Sequence, residues 1–309
     1  MEFKHKSVLL DEVIDNLNIK EDGIYVDGTL GGAGHSTEIL KRLSNGTLIG
    51  IDRDMDAIRE SAKKLEQYEK NNKVILIHGN HENIPSILDS LEIKKVDGVL
   101  LDLGMSSYQI DNGKRGFSYI NDGPLDMRMD ESQELTAKKI VNEYSKEELA
   151  EIFKKYGEER FAEKIANAII KKREEKEIST TQELVDIIDR AKPFSKKGHK
   201  AKQVFQALRI EVNSEIKNLT DSIIEIIKRI NKGGRLTIIT FHSLEDKAVK
   251  EAYKKAEGEC ICPPNFPICV CNPIKLGKIV NKKPILPSKE EQEENSRSKS
   301  AKLRVFEID

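Results

Sequence analysis

Apolar positions along the chain gather into short runs separated by stretches of helical periodicity. Ile24 to Val26, Leu48 to Ile51, Val74 to Ile77 and Val96 to Leu101 are each bounded by turn residues, and the segments between them carry apolar residues three and four apart. This alternation predicts βαβ units and therefore a parallel sheet with helices on both faces. A fifth run, Arg235 to Phe241, arrives 133 residues after Asp102. One crossover between neighbouring parallel strands is much shorter than that, so the spacing predicts an insertion. Inside it, Ser145 with Glu148 and Thr180 with Glu183 have capping-box spacing, each followed by an apolar stripe (Leu149, Ile152, Phe153; Leu184, Ile187, Ile188). The insertion therefore reads as helical, its stripes as core. Afterwards come an amphipathic helix from Ser214 to Ile230, a turn at Gly233 and Gly234, the fifth strand, a polar proline-dotted loop over about 272–301, and a closing antiparallel strand from Lys302 to Ile308. The expected organisation is a first sheet segment at 1–109, an inserted helical domain at 110–205 and a return to the sheet at 206–309.

The ends of the predicted strands carry the chemistry. Strand one runs into DGTLGGAGHS, Asp27 to Ser36, and then into helix-forming sequence. Glycines in such a turn accept positive φ and let a ligand come close to the main chain. Strand two ends in Asp52, 25 positions after Asp27, where a carboxylate takes both hydroxyls of a ribose. The pattern predicts an adenosine-bearing cofactor, the alternative being a turn that only joins strand to helix. A dinucleotide fingerprint needs a third glycine, and counting from Gly32 that position is Thr37. The pyrophosphate reading is thereby weakened. S-adenosyl-L-methionine has no phosphate, and its methionine carboxylate suits the free N–H groups and positive dipole end of a helix. Asp52, the HGNHEN segment after strand three and Asp102 after strand four all fall on the carboxyl edge of the sheet, where open α/β sheets bind ligands.

Composition narrows the picture in a few places. The chain has 309 residues, enough for a sizeable core, and a net charge of −1 with 34% charged residues, so nothing global signals nucleic acid. The N-terminus lacks an apolar run and carries acids early, and no stretch is long enough to span a bilayer, which predicts a cytoplasmic protein without a membrane. One local basic segment stands out. Between Arg190 and Glu211 there is no acid, but there are Lys192, Lys196, Lys197, Lys200, Lys202 and Arg209, with Phe194 and His199 among them. It is a candidate phosphate contact or a solvated face. All four cysteines, Cys260, Cys262, Cys269 and Cys271, lie in CICPPNFPICVC. Such clustering suits tetrahedral zinc, with free thiols or redox chemistry as alternatives.

VDGTLGGAGHS, GIDRD, LLDLGMSS, RGFSY, DGPLDMRM, YGEERFA, FQALRIEVN and FHSLEDKAVK follow one another from Val26 to Lys250, and SRSKSAKLR closes the chain. Together they resemble the bacterial MraW/RsmH family of ribosomal small-subunit RNA (cytosine-N(4))-methyltransferases. The resemblance implies an α/β fold of class I, a Rossmann-like doubly wound sheet with an inserted helical subdomain. It also implies S-adenosyl-L-methionine as donor, and a cytidine in the decoding region of 16S rRNA in the small ribosomal subunit as acceptor. Motif by motif, it places the cofactor at Ala33, Gly34 and His35 in the first turn, at Asp52, at His81, and at Asp102 and Gln109. Asp102 would accept from the cofactor's amino group. Amino-methyltransferases of DNA carry (Asp/Asn/Ser)-Pro-Pro-aromatic after the fourth strand, whereas this chain has DLGMSSYQ. That departure leaves the acceptor of the amine proton unassigned, with Asp102, Ser106, Asp126 and His242 as candidates. Phe117 and Tyr119 are candidates for stacking an extruded base, or are loop anchors. A nicotinamide oxidoreductase and a noncatalytic RNA-binding assembly factor are the competing functional classes.

Overall fold

A computed structural model describes residues 7–70, 72–106, 109, 112–193, 198–259 and 273–309. The chain divides into two compact units, Met1–Gly104 with Asn218–Asp309, and Met105–Lys217.

In the sheet unit, α1 (Leu10–Leu17) precedes β1 (Ile24–Asp27), α2 (Gly34–Arg42), β2 (Thr47–Asp52), α3 (Met55–Leu65), β3 (Lys73–His78), α4 (Ile84–Ser90) and β4 (Val96–Asp102). After the insertion come a helix at Leu219–Lys228, β5 (Ile230–Thr240), a helix at Ser243–Ala256, β6 (Gly277–Ile279), a short helix at Lys289–Glu294 and β7 (Lys302–Ile308). The strand order is β3-β2-β1-β4-β5-β7-β6. The first five strands are parallel, and β7 runs antiparallel between β5 and β6. β1 lies near the centre, with Tyr25 opposite Leu48 on one side and Gly98 on the other. A Cβ on Gly98 would sit 2.8 Å from the Tyr25 ring, so the missing side chain makes room for the aromatic. Val13, Leu17, Tyr25, Ile39, Leu40, Leu48, Leu100 and Leu303 form one continuous buried core. This is the class I methyltransferase sheet that the motifs implied.

Three local readings are corrected. Gly233 and Gly234 do not precede the fifth strand. They lie within it, where pairing steps from Val96–Ile230 to Gly98–Arg235 and Gly233 takes φ 74°. The expected helix from Ser214 begins at Leu219 instead, because Ser214 (φ 52°) ends the preceding helix in the left-handed region. In the polar stretch read as loop, β6 and the Lys289–Glu294 helix form, the former by pairing with β7 and the latter capped by Ser288.

Among its described residues the helical unit has α-helices at Ala137–Glu143, Lys146–Gly157, Ala162–Glu175, Thr181–Ala191 and Lys202–Asn213. Both capping boxes form. The Ser145 N–H donates to Glu148 Oε2 at 2.7 Å while Ser145 Oγ accepts from the Glu148 N–H at 3.2 Å, and Thr180 and Glu183 repeat the exchange. The stripes they introduce, Leu149, Phe153, Leu184 and Ile188, meet Ile165, Phe205 and Leu208 in a separate core. This unit is wider than 110–205. The Lys202–Asn213 helix belongs to it because Gln203 and Gln206 donate to the Glu158 and Tyr156 carbonyls, and Asn213 bonds Met127 O and the Met129 N–H at 2.8 Å each. Among the described residues no helix is long and apolar enough to cross a membrane.

Candidate cofactor site

Asp27, Asp52 and Asp102 end β1, β2 and β4 on the same edge. The turn after β1 is tied to both neighbouring strands, with the Gly28 N–H donating to Leu100 O and the Leu30 N–H to Ile51 O, both at 2.9 Å. Asp52 holds it from the side. Its Oδ2 accepts the Gly31 N–H at 2.7 Å and its Oδ1 the Asp54 N–H at 2.8 Å. From α3, Ser61 Oγ donates to Gly31 O and Lys64 Nζ to Gly32 O, at 3.0 and 2.8 Å. Sequence reasoning missed these two residues, although their spacing of three places them on one face of a helix. The chain then enters α2 through Ala33, which is fully buried at φ 57°. No side chain caps α2, and its first turn contains no acid. The Ala33 N–H closes the turn on Leu30 O at 2.8 Å, and the partial positive charge of the helix start beyond it favours a carboxylate.

The electrostatics of this edge are unusual for three acids. Asp27 is buried, accepts Ser36 Oγ at 2.7 Å and the Thr29 N–H at 3.2 Å, and is pushed up to about 6 by burial. Asp102 lies well above the usual carboxylate range, first from burial and then from the facing Asp27 and Glu245 carboxylates. The Asp102 N–H donates to Thr29 Oγ1 at 2.6 Å, but its buried Oδ1 has no partner among the described residues. His81, at the turn after β3, is brought down to about 4 by burial and the Arg53 guanidinium, so it is neutral near pH 7. Its buried Nε2 likewise has no partner among the described residues. A satisfied core would not leave two such atoms bare. Beside an uncapped helix start, they fit a ligand that brings an ammonium, a carboxylate and hydrogen-bonding ring atoms. An amino acid joined to an adenosine is such a ligand. The His35 imidazole bridges two parts of the unit: Nε2 donates to Val8 O at 3.0 Å, and Nδ1 lies 3.9 Å from Asp102 Oδ2.

Other sequence candidates are occupied. Gln109 is buried in the helical unit, where its Oε1 accepts the Ser106 N–H and its own N–H donates to Ser106 Oγ. Asp126 is forked by Arg128 at 2.8 Å on both oxygens; burial opposes ionisation, but the Arg128 hydrogen bonds and charge outweigh it and hold Asp126 below the usual range. His242 Nδ1 caps the Ser243–Ala256 helix in a box with Glu245, a use of histidine that serine-based patterns overlook, while its buried Nε2, 2.9 Å from Glu245 Oε1, has no hydrogen-bond partner among the described residues. Phe117 is buried in the helical core, while Tyr119 stacks on His199 at 4.7 Å and meets Phe205 edge-on at 5.8 Å. Both aromatics therefore have partners within the helical unit.

The basic segment also changes meaning. Its counter-charges come from outside the run. Lys192 forms a buried ion pair with Glu159, and Arg209 grips both oxygens of Glu215 at 2.9 and 2.8 Å. Lys200 Nζ donates to Asp189 O and Lys192 O. Lys202 remains exposed. Phe194, Lys196 and Lys197 lie outside the described residues, as do Cys260, Cys262, Cys269 and Cys271 with the expected zinc site.

A family model described as the MraW methylase family matches residues 2–309. Ribosomal RNA small subunit methyltransferase H of Clostridium botulinum (strain Loch Maree / Type A3) is 59% identical over 308 residues, covering 99% of each chain. The protein of the same name from Lachnospira eligens is 55% identical, covering 99% of this chain and 98% of its own. Among solved structures, an rRNA methylase from Streptococcus thermophilus aligns over 96% of this chain and 92% of its own, at 14% identity and a TM-score of 0.40.

Proposed function

The chain belongs to the MraW methylase family, and from that premise we propose that it transfers a methyl group from S-adenosyl-L-methionine to the exocyclic N(4) of a cytidine in the decoding region of 16S rRNA. The substrate class follows the curated relatives, whose names specify small-subunit ribosomal RNA; the cytidine and its position follow the motif resemblance. A ribosomal substrate also implies a cytoplasmic protein. The single observation that carries the cofactor assignment is the pair of unsatisfied buried atoms, Asp102 Oδ1 and His81 Nε2, at the edge where α2 begins uncapped.

In this reading the turn at Ala33, Gly34 and His35 receives the methionine carboxylate at the α2 N-terminus, the Ala33 N–H itself being held by Leu30 O at 2.8 Å, and Asp102 accepts from the ammonium. A cation there would relieve the repulsion from Asp27 and Glu245 and restore the Asp102 charge. Asp52 takes the ribose hydroxyls on the lone pairs that Gly31 and Asp54 leave free. His81, neutral, meets the adenine. When bound, S-adenosyl-L-methionine supplies an electrophilic methyl group on a sulfonium. The protein contributes chiefly alignment and exclusion of water, because a cytosine amine is a weak nucleophile and in-line geometry dominates such a displacement. Asp126 and Ser106 are engaged in fixed hydrogen bonds and His242 Nδ1 caps a helix, and no catalytic acceptor is assigned among them.

Calorimetric titration separates the cofactor classes. Binding of S-adenosylhomocysteine with no binding of a nicotinamide dinucleotide is expected, and the reverse pattern would contradict the proposal. The acceptor atom is read by nucleoside mass spectrometry of methylated RNA.

A further inference from the structure

Among the described residues, three helix starts carry a closed capping box, in which a glutamate returns to the backbone of the capping residue: Ser145 with Glu148, Thr180 with Glu183, and His242 with Glu245. Ser288 and Glu291 have the same spacing, and Ser288 Oγ accepts the Glu291 N–H at 3.1 Å. The Glu291 carboxylate, however, is turned to another helix. Its Oε1 accepts the backbone N–H of Leu9 at 2.8 Å, 282 residues earlier in the chain.

Leu9 is the capping position of α1. It is fully buried, has no side-chain cap of its own and holds φ 52°. Left-handed backbone is strained for a leucine and persists only where its surroundings impose it. Glu291 gives the Leu9 N–H the acceptor that the glutamate of a capping box normally supplies, and places a negative charge at a helix N-terminus. The two residues before Leu9 lie against the start of α2. Val8 O accepts from His35 Nε2 at 3.0 Å, and Ser7 Oγ occupies the place of a Gly34 side chain, 1.9 Å from where its Cβ would be. The contacts thus run without a break from Glu291 through Leu9, Val8 and Ser7 to His35 and Gly34.

We propose that Glu291 is a positioning residue for cofactor binding: through the Leu9 N–H it fixes the Ser7–Leu9 segment against Gly34 and His35, and so sets the α2 N-terminus that receives the methionine carboxylate. This rests on the cofactor reading above. The sheet unit thereby uses its C-terminal segment to brace its N-terminal one at the turn.

The test compares full-length wild type with Glu291→Ala and Glu291→Gln, the latter keeping an acceptor oxygen. Affinity for S-adenosylhomocysteine is measured by calorimetry, and amide exchange is followed over residues 7–10 with and without that ligand. Glu291→Ala is expected to weaken binding about 3- to 10-fold, the partial loss of one charge-assisted hydrogen bond. Ligand-induced protection at Leu9 should fall with it, and KM for S-adenosyl-L-methionine should rise by the same factor at nearly constant kcat. Glu291→Gln should bind within about twofold of wild type, since it loses charge but not the acceptor. Should Glu291→Ala unfold, Glu291→Asp withdraws the oxygen by one methylene while keeping the charge and reads the same loss. Wild-type affinity and protection in the Ala or Asp variant would overturn the inference while leaving the cofactor reading intact. A wild-type protein that binds neither S-adenosylhomocysteine nor S-adenosyl-L-methionine would contradict both.

Discussion

Replacing Asp52 by alanine separates its observed role in the turn from its proposed role at the ribose. Its oxygens already accept the Gly31 and Asp54 N–H groups at 2.7 and 2.8 Å. An ionised carboxylate has about four lone-pair positions, so about two are left for the ribose diol. Hydrogen bonds to a charged acceptor contribute about 1.5–3 kcal/mol, and Asp52→Ala should therefore weaken S-adenosylhomocysteine binding by about 10- to 150-fold. Part of any loss could come from a loosened turn, since Gly31 and Asp54 would lose their acceptor. A 2′-deoxyribose analogue of the ligand resolves the two, because turn loosening affects both ligands alike and cancels in their ratio. In calorimetry the wild type should prefer the natural ligand, and Asp52→Ala should bind both about equally. Unchanged affinity in Asp52→Ala, or an analogue penalty that survives the substitution, would refute the ribose assignment.

Burial lifts Asp27 from 3.8 to about 6, so the folded state holds this proton over a range where the unfolded chain has released it, and the stability so gained is lost as pH rises through 6. Between pH 5 and pH 7.5 the group should withdraw about 1.4 kcal/mol. Asp27→Asn, which can still accept from Ser36, should flatten urea-measured stability by that amount over the same window, and parallel curves for the two proteins would contradict the shift. Lys192→Met leaves Glu159 buried and unpaired, which should destabilise the protein by about 3–5 kcal/mol. The salt dependence of its RNA binding should stay as in wild type; a flattened slope at unchanged stability would instead make Lys192 a phosphate contact.

Local chemistry was legible in the sequence wherever neighbours along the chain decide the outcome. The strand runs ended in Asp52 and Asp102 as their apolar residues indicated, and Ser145 and Thr180 started helices because their partners sit three residues on. Long-range partners were not legible. The acid-free run from Lys192 to Arg209 looked uncompensated because Glu159 and Glu215 lie outside it. The edge of the insertion was misplaced because the Lys202–Asn213 helix is assigned by Asn213 and Gln206 reaching back to Met127 and Tyr156, which no periodicity records. Of the turn after β1, the glycines and Asp52 could be read in advance, but not the left-handed Ala33 and Leu9, nor the reach of Glu291 to a helix 282 residues away.

The central claim is tested most directly by tritiated methyl transfer from S-adenosyl-L-methionine to small ribosomal subunits, and to their naked 16S rRNA, from cells lacking this gene, followed by nucleoside mass spectrometry. The account predicts label in N(4)-methylated cytidine. Absence of label on both substrates, with S-adenosylhomocysteine binding intact, would contradict it and point instead to a noncatalytic assembly factor.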